Sequence, residues 1–363
     1  MENRDEIINE LIELSNTFVN EIVALKTENE KLKADNEAIF ANLKSIIDMQ
    51  KNLTDTISKN QMEVKILGET MTRSVSNVAY EIGSKNLNVP NVASVDETVD
   101  KIINEKASIC RYGDGEFSIM MGCSRQGFQH QDELLRQKLI EVFESQDNGN
   151  LIAIADNYAS LENYSDSSKD QIRYYMTDEV REGHAKFFQQ GRTYYNAYLT
   201  MPYLLYRDKD TDGPKKRFDK IKKIWDKRDI IIIEGELTRF GVGNDLLDNA
   251  KSIKRILCPP KHAFDKYQNI LNIALEEGVK SDDNVLFLIS LGPTATVLAY
   301  DIFKNGYQAV DIGHLDNNYE NFIRGNLESM PIAGKHVNNV TSTEEIEDVR
   351  DENYLNQIVN NIR

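Results

Sequence analysis

Cysteine is scarce in this chain: Cys110, Cys123 and Cys258 lie far apart in 363 residues and form no Cys-x-x-Cys pair. A disulfide framework and a structural zinc site are both excluded on that count, and a reducing cytoplasm is the expected setting. No apolar run approaches the roughly 20 residues of a membrane span. The opening Met1-Glu-Asn-Arg-Asp-Glu6 has no secretory-leader pattern. Positive charge is in deficit, 43 Lys and Arg against 59 Asp and Glu, for a net charge of −16. Nonspecific nucleic-acid binding depends on basic residues that neutralise phosphates, so nucleic acid is not an expected partner. An anionic ligand would need a metal ion or a local cluster of donors.

Proline is missing from residues 8 to 78 and Gly68 is the only glycine there. What fills the stretch is one unbroken heptad register, with fifteen of its twenty-one a and d positions apolar, among them Ile8, Leu11, Phe18, Ile22, Leu25, Leu32, Ile39 and Leu43. A helix that buries such a stripe against another helix is the natural outcome, and asparagine at consecutive a positions, Asn29 and Asn36, favours a parallel pair in register. Residues 1–84 are therefore expected to be a coiled coil that makes the protein a homodimer. A helix folded back onto its own domain is the alternative. Pro90 and its polar neighbours end the pattern, giving a linker over 85–93. Ser94-Val-Asp-Glu97 caps a helix opening a domain over 94–340, followed by an acidic tail, 341–363, with a short helix.

Within 94–340 strands and helices alternate. Asn150-Leu-Ile-Ala-Ile-Ala155, Asp229-Ile-Ile-Ile-Ile-Glu234, Ser252 to Cys258, Val285 to Ser290 and Tyr307 to Asp311 are short apolar runs of the buried parallel-strand kind. The expected class is α/β, a Rossmann-like, mostly parallel sheet with flanking helices. The basic stretch 215–223 reads as a solvated helix face. Ligands of open α/β sheets bind outside the carboxyl ends of the strands, and here those ends carry Gly, Asp, Asn, His and Glu.

The stretch most unlike a core is Cys110-Arg-Tyr-Gly-Asp-Gly-Glu-Phe117. Asp114 and Glu116, two apart, would face the same side of an extended segment and could hold one hard cation, magnesium or manganese, which takes one or two carboxylates and completes its shell with water and phosphate oxygens. A solvated turn is the plainer reading. Downstream, the run 229–234 feeds Gly235-Glu-Leu-Thr-Arg-Phe-Gly-Val-Gly-Asn-Asp245, with a helix expected over 246–251. A strand, a glycine-rich turn and a helix start make an anion site, and Arg239 would add a bidentate phosphate donor. Pro293 suits the first turn of a helix after the run 285–290, where Thr294 or Thr296 could cap it or hold a phosphate.

Five motifs in order, Arg111 to Phe117, Glu234 to Asp245, Arg255-Ile-Leu-Cys-Pro259, Leu291 to Tyr300 and Asp311-Ile-Gly-His-Leu-Asp316, resemble those of the GT-D-type bacterial glycosyltransferases, over roughly residues 95 to 338. The resemblance implies a metal-dependent transferase that moves a sugar from a nucleotide-diphosphate sugar, typically UDP-linked, to a glycan, glycoprotein or glycolipid acceptor. It places Mn2+ or Mg2+ on Asp114 and Glu116, and puts Arg111, Gly113, Arg239, Gly241, Gly243, Asn244, Gly292, Thr294 and His314 at the donor. Asp245, Asp316 and Glu234 are the candidate catalytic bases. The chain departs from the pattern at Met201, where arginine is expected, and at Asn318, where an acid is. A nucleotide-sugar hydrolase, or a noncatalytic coiled-coil scaffold with a donor-binding domain, are the alternatives.

Overall fold

The computed structural model describes residues 2–86, 89–123, 129–282, 284–336 and 351–362. In chain order the elements are α1 (Glu2–Asn86), β1 (Asn91–Val92), α2 (Val95–Asn104), β2 (Ser108–Tyr112), α3 (Asp114–Met120), α4 (Glu133–Glu144), β3 (Asn150–Ile154), α5 (Asp166–Tyr175), α6 (Asp178–Ala185) and β4 (Thr193–Asn196). There follow α7 (Gly213–Lys222), β5 (Asp229–Gly235), β6 (Ser252–Cys258), α8 (Tyr267–Val279), β7 (Leu286–Ser290), α9 (Pro293–Lys304), β8 (Gln308–Asp311), α10 (Leu315–Ile323), α11 (Glu352–Gln357) and β9 (Ile358–Asn361).

By compactness the chain divides into residues 1–72 and residues 73–363. In the first unit the helix is continuous and its heptad seam lies open along its length, with Leu11 61%, Phe18 58%, Leu25 61% and Ile39 55% exposed. The second unit begins inside α1, ahead of the expected domain start at residue 94. Tyr80 is buried in its core, and its hydroxyl donates to the carbonyls of Asn157 (2.8 Å) and Ala159 (3.1 Å). Arg181 of α6 sits over the Tyr80 ring, donates to the Tyr80 carbonyl at 3.0 Å and pairs with Asp178. Gly83 is small because a Cβ there would lie 2.1 Å from Arg181 Nη2. The last turns of the helix thus belong to the second unit.

That unit is built on one sheet, all of its pairings parallel, in the order β1-β4-β3-β2-β8-β7-β5-β6-β9. Helices cover both faces, so alternate residues of one strand enter different cores: Ile231 and Ile233 pack on one side, Ile230 and Ile232 on the other. This is why the strands read as continuous apolar runs. From β2 the chain steps through β3 to β4 in one direction, and β8, β7 and β5 fill the other side. The order therefore reverses at the β2/β8 boundary, where a crevice opens above the strand ends.

Several local expectations are corrected. The strand β4 ends at Asn196, whose side chain caps a short 3-10 turn over Ala197–Thr200. No helix forms over 246–251. His314 stands at the N-cap of α10. The tail returns to the sheet: β9 pairs with β6, and Arg255 of β6 reaches Gln357 and the Tyr354 ring. The basic stretch forms α7, whose charges are met by acids, Lys215 by Asp219, Arg217 by Asp208 and Lys222 by Asp245. The expected linker residues 87 and 88 and much of the acidic tail lie outside the described residues.

Candidate functional site

A cleft of about 1060 Å³ lies above the carboxyl ends of β2, β3, β4, β7 and β8. Its centre is Arg111, the penultimate residue of β2. The guanidinium is fixed from two sides, donating through Nε to the Ala197 carbonyl (3.0 Å) and through Nη1 to Asp311 Oδ1 at the end of β8 (3.2 Å). Burial raises the pKa of Asp311 and Arg111 opposes it. Gly313 allows this arrangement, because its φ is +46° and a Cβ there would meet Arg111 Nη1 at 2.1 Å. Thr296 of α9 closes the ring, donating to the Arg111 carbonyl at 2.8 Å.

Directly after β2, Gly113 caps α3, and Asp114 and Glu116 occupy its first turn. The expected extended geometry is therefore wrong, and the two carboxylates do not share one side of a strand. Asp114 is exposed on the cleft wall. Glu116 is half-buried and turned back, accepting from the Gly113 N–H at 2.7 Å. Burial raises the Glu116 pKa to about 7; the Gly113 hydrogen bond opposes this, and Asp311 and Asp114 add to it. The two carboxylates thus feel each other electrostatically. Among the described residues no group of three or more His, Cys, Asp or Glu side chains is placed to hold a metal. Two hard oxygen donors on a cleft wall nevertheless suit a cation of the magnesium class, whose remaining ligands are water and phosphate.

The N-terminus of α9 faces the same space. Gly292, at φ +55°, ends β7's turn, and Gly292 and Pro293 line the cleft. Thr294 is fully buried and does not line it. His314, at the start of α10, has an accessible side chain on the cleft wall, yet surrounding protein, aided by Arg111, holds its pKa down to about 4, with Asp114 opposing.

The glycine-rich turn after β5 is placed differently from the expectation. Arg239 is 7% exposed, does not line the cleft and donates to the Gly334 carbonyl at 2.6 Å. Gly241 and Gly243 both have positive φ but lie outside the cleft lining, and no helix start follows them. Asn244 donates to Asp316 and Glu320, 2.8 Å each. Asp245 is exposed away from the cleft, held by Lys222 and the Tyr319 hydroxyl. Glu234 is completely buried, paired with Arg255 at 2.6 Å, and accepts from the Phe240 N–H.

Of the three candidate bases, only Asp316 borders the cleft among the described residues. It is 5% exposed and bound by Lys335 Nζ (2.7 Å) and Asn244; burial raises its pKa and Lys335 opposes. Lys335 also reaches Glu320 and itself lines the cleft, a role the sequence gave no sign of. Met201 lines the cleft where an arginine was expected. Asn318 accepts from the Tyr203 and Leu204 N–H groups (2.7 and 3.3 Å), so it organises the Met201 loop.

Asn157, Tyr158, Tyr198 and His184 also line the cleft. Asn157 follows β3 at a strand end, which is a readable signal. His184 comes from the last turn of a polar helix, α6, and only the tertiary fold brings it there.

The glycosyltransferase GT-D fold family model matches residues 109–340. A probable glycosyl transferase Gly of Streptococcus gordonii is 35% identical over 277 residues, 75% of this chain and 39% of that protein. Glycosyltransferase GlyD of Streptococcus pneumoniae serotype 4 is 35% identical over 287 residues, 78% of this chain and 34% of its own length. The chain thus spans little more than a third of these curated relatives. Among solved structures, a domain of unknown function 1792 described as having a distinct glycosyltransferase fold superimposes with TM-score 0.71 at 31% identity, covering 78% of this chain and all of that one. A structure described as a new glycosyltransferase from Streptococcus sanguinis superimposes with TM-score 0.70 at 33% identity, over 76% of this chain and all of its own.

Proposed function

The chain belongs to the glycosyltransferase GT-D fold family, and from that premise we propose that it moves a sugar from a nucleotide-diphosphate sugar, UDP-linked, to a glycan, glycoprotein or glycolipid acceptor with the help of Mn2+ or Mg2+. The observation that carries this reading is the convergence of Asp114, Glu116, the fixed Arg111 and the α9 N-terminus on one cleft at the β2/β8 reversal. The diphosphate is the part of the donor such a place suits. The helix dipole at Gly292 favours negative charge, and Arg111 adds a cation already oriented by Asp311 and Ala197. When bound at Asp114 and Glu116, the metal supplies electrostatic stabilisation of charge developing on the leaving diphosphate.

In the transfer, the acceptor oxygen bonds to the anomeric carbon, the bond from that carbon to the phosphate oxygen breaks, and the nucleoside diphosphate leaves with the electron pair. The acceptor proton needs a base if configuration inverts. Asp316 is the carboxylate assigned here: burial makes it more basic, Lys335 and Asn244 hold its plane, and a carboxylate keeps further lone pairs beyond those two hydrogen bonds.

The test is thermal unfolding of the full chain with a panel of UDP-sugars, with and without manganese. A ligand bound only by the native state raises the melting temperature by mass action. At least one UDP-sugar should do so, and more strongly with the metal; no shift with any nucleotide sugar would refute the donor reading.

A further inference from the structure

On the β3/β4 side of the carboxylate pair the cleft extends into a lobe bounded by Asn157, Tyr158, Ile172, Tyr175, His184 and Tyr198. None of the six carries a formal charge at neutral pH, since His184 is held well below its ordinary value, to about 4, by burial. The His184 ring is locked in place. It stacks on Phe117 with ring centroids 4.0 Å apart and planes 16° apart, Tyr158 meets it edge-on, and the Tyr175 ring lies tilted to it at 6.3 Å. Its Nδ1 lies 2.8 Å from the Tyr158 hydroxyl. That nitrogen is the phenol's one hydrogen-bond partner among the described residues; we assign the tautomer in which the phenol donates to Nδ1, which places the imidazole proton on Nε2.

Nε2 is buried and has no hydrogen-bond partner among the described residues. The same is true of Oδ1 of Asn157, whose Nδ2 is given to the Tyr198 hydroxyl at 3.0 Å. The lobe therefore holds one unused donor and one unused acceptor, each fixed by a tyrosine, between aromatic walls. A hydroxyl both donates and accepts, and the C–H face of a sugar ring suits an aromatic wall; the six described residues that bound the lobe offer a phosphate no cationic side chain. The lobe also adjoins the carboxylates, for Asp114 acts on His184 electrostatically.

Resting on the donor reading above, we propose that this lobe is the subsite of the transferred sugar ring, with His184 Nε2 and Asn157 Oδ1 hydrogen-bonding its hydroxyls. Both are specificity-determining residues, and Tyr158 is a positioning residue that sets the His184 tautomer.

The experiment is calorimetric titration of the full chain in manganese with UDP and with UDP-glucose, UDP-galactose and UDP-N-acetylglucosamine, on wild type, His184→Leu, His184→Gln and Asn157→Ala. The expected result is near-constant UDP affinity, with the best-bound UDP-sugar weakened roughly fivefold to tenfold by His184→Leu and by Asn157→Ala, the scale of one lost hydrogen bond. His184→Gln, which keeps an N–H at similar reach, should recover most of the loss. Should His184→Leu not fold, Tyr158→Phe removes only the hydroxyl and should show the same selective loss in smaller degree. Parallel weakening of UDP and UDP-sugar, or no weakening of either, would overturn the assignment while leaving the donor reading intact. Wild type binding neither UDP nor any UDP-sugar would overturn the donor reading itself, and the assignment with it.

Discussion

Burying an imidazole in its neutral form makes folding depend on pH, and His184 is such a group. Burial lowers its pKa from 6.5 to about 4, with Asp114 opposing. A folded-state value below the unfolded one gives stability that is fully present above the unfolded pKa and is lost as pH falls through the folded one. The ceiling for this residue is about 3 kcal/mol. Urea unfolding of wild type and His184→Gln should therefore show the wild type losing up to that much more between about pH 7 and pH 4; parallel pH curves would mean the ring is not held neutral. At this scale the sequence was only partly readable. Asp114, Glu116, Gly292 and Asp316, named from their place near strand ends or as candidate bases, and Arg111, Gly113 and His314, named through the family resemblance, all line the cleft. Glu234 and Arg239 satisfied the same rule and do not. A carboxylate ending a strand reads alike whether it faces a cleft or a buried arginine, and Glu234 meets Arg255 only through the β5/β6 pairing.

Elements built on continuous apolar runs were legible because burial on both faces removes any need for alternation. β5, β6, β7 and β8 fall within a residue of their expected bounds. A short helix set by tertiary contacts was not: α3 starts where the Asp114 and Glu116 stretch suggested extended chain. The base of α1 is the instructive miss, because heptad periodicity runs through Met71, Ser74 and Val78 with no sign that the surrounding turns change partners. Tyr80 falls off that seam and into the core of the second unit. A chain beginning at residue 85 loses this aromatic side chain, a change of the class that costs about 3 to 5 kcal/mol, and leaves Arg181 without its Tyr80 contacts. A chain beginning at residue 73 keeps them. The melting temperature of 73–363 should exceed that of 85–363 clearly; equal values would show that the last turns of α1 contribute nothing to the fold.

At the scale of the whole molecule, the apolar seam that starts at Ile8 lies open, and we propose a second copy of the same helix as its occupant, on the strength of the heptads and of Asn29 and Asn36. Light scattering should give a dimer for the full chain and a monomer for 73–363. Replacing both asparagines with isoleucine should raise stability and admit trimers. A full-length monomer would assign the heptads another role.

The central claim is that this cleft transfers sugar from a nucleotide donor under control of the Asp114 and Glu116 pair. The most direct test is product analysis by mass spectrometry, with the full chain, manganese, a UDP-sugar that raises its melting temperature, and a panel of glycan acceptors. The account predicts a glycosylated acceptor and one released UDP per sugar moved. Both should vanish in excess chelator and in Asp114→Asn or Glu116→Gln, with the melting temperature of the metal-free protein little changed. Transfer at wild-type rate in chelator or in either variant would contradict the account, as would a chain that binds the donor and never turns it over.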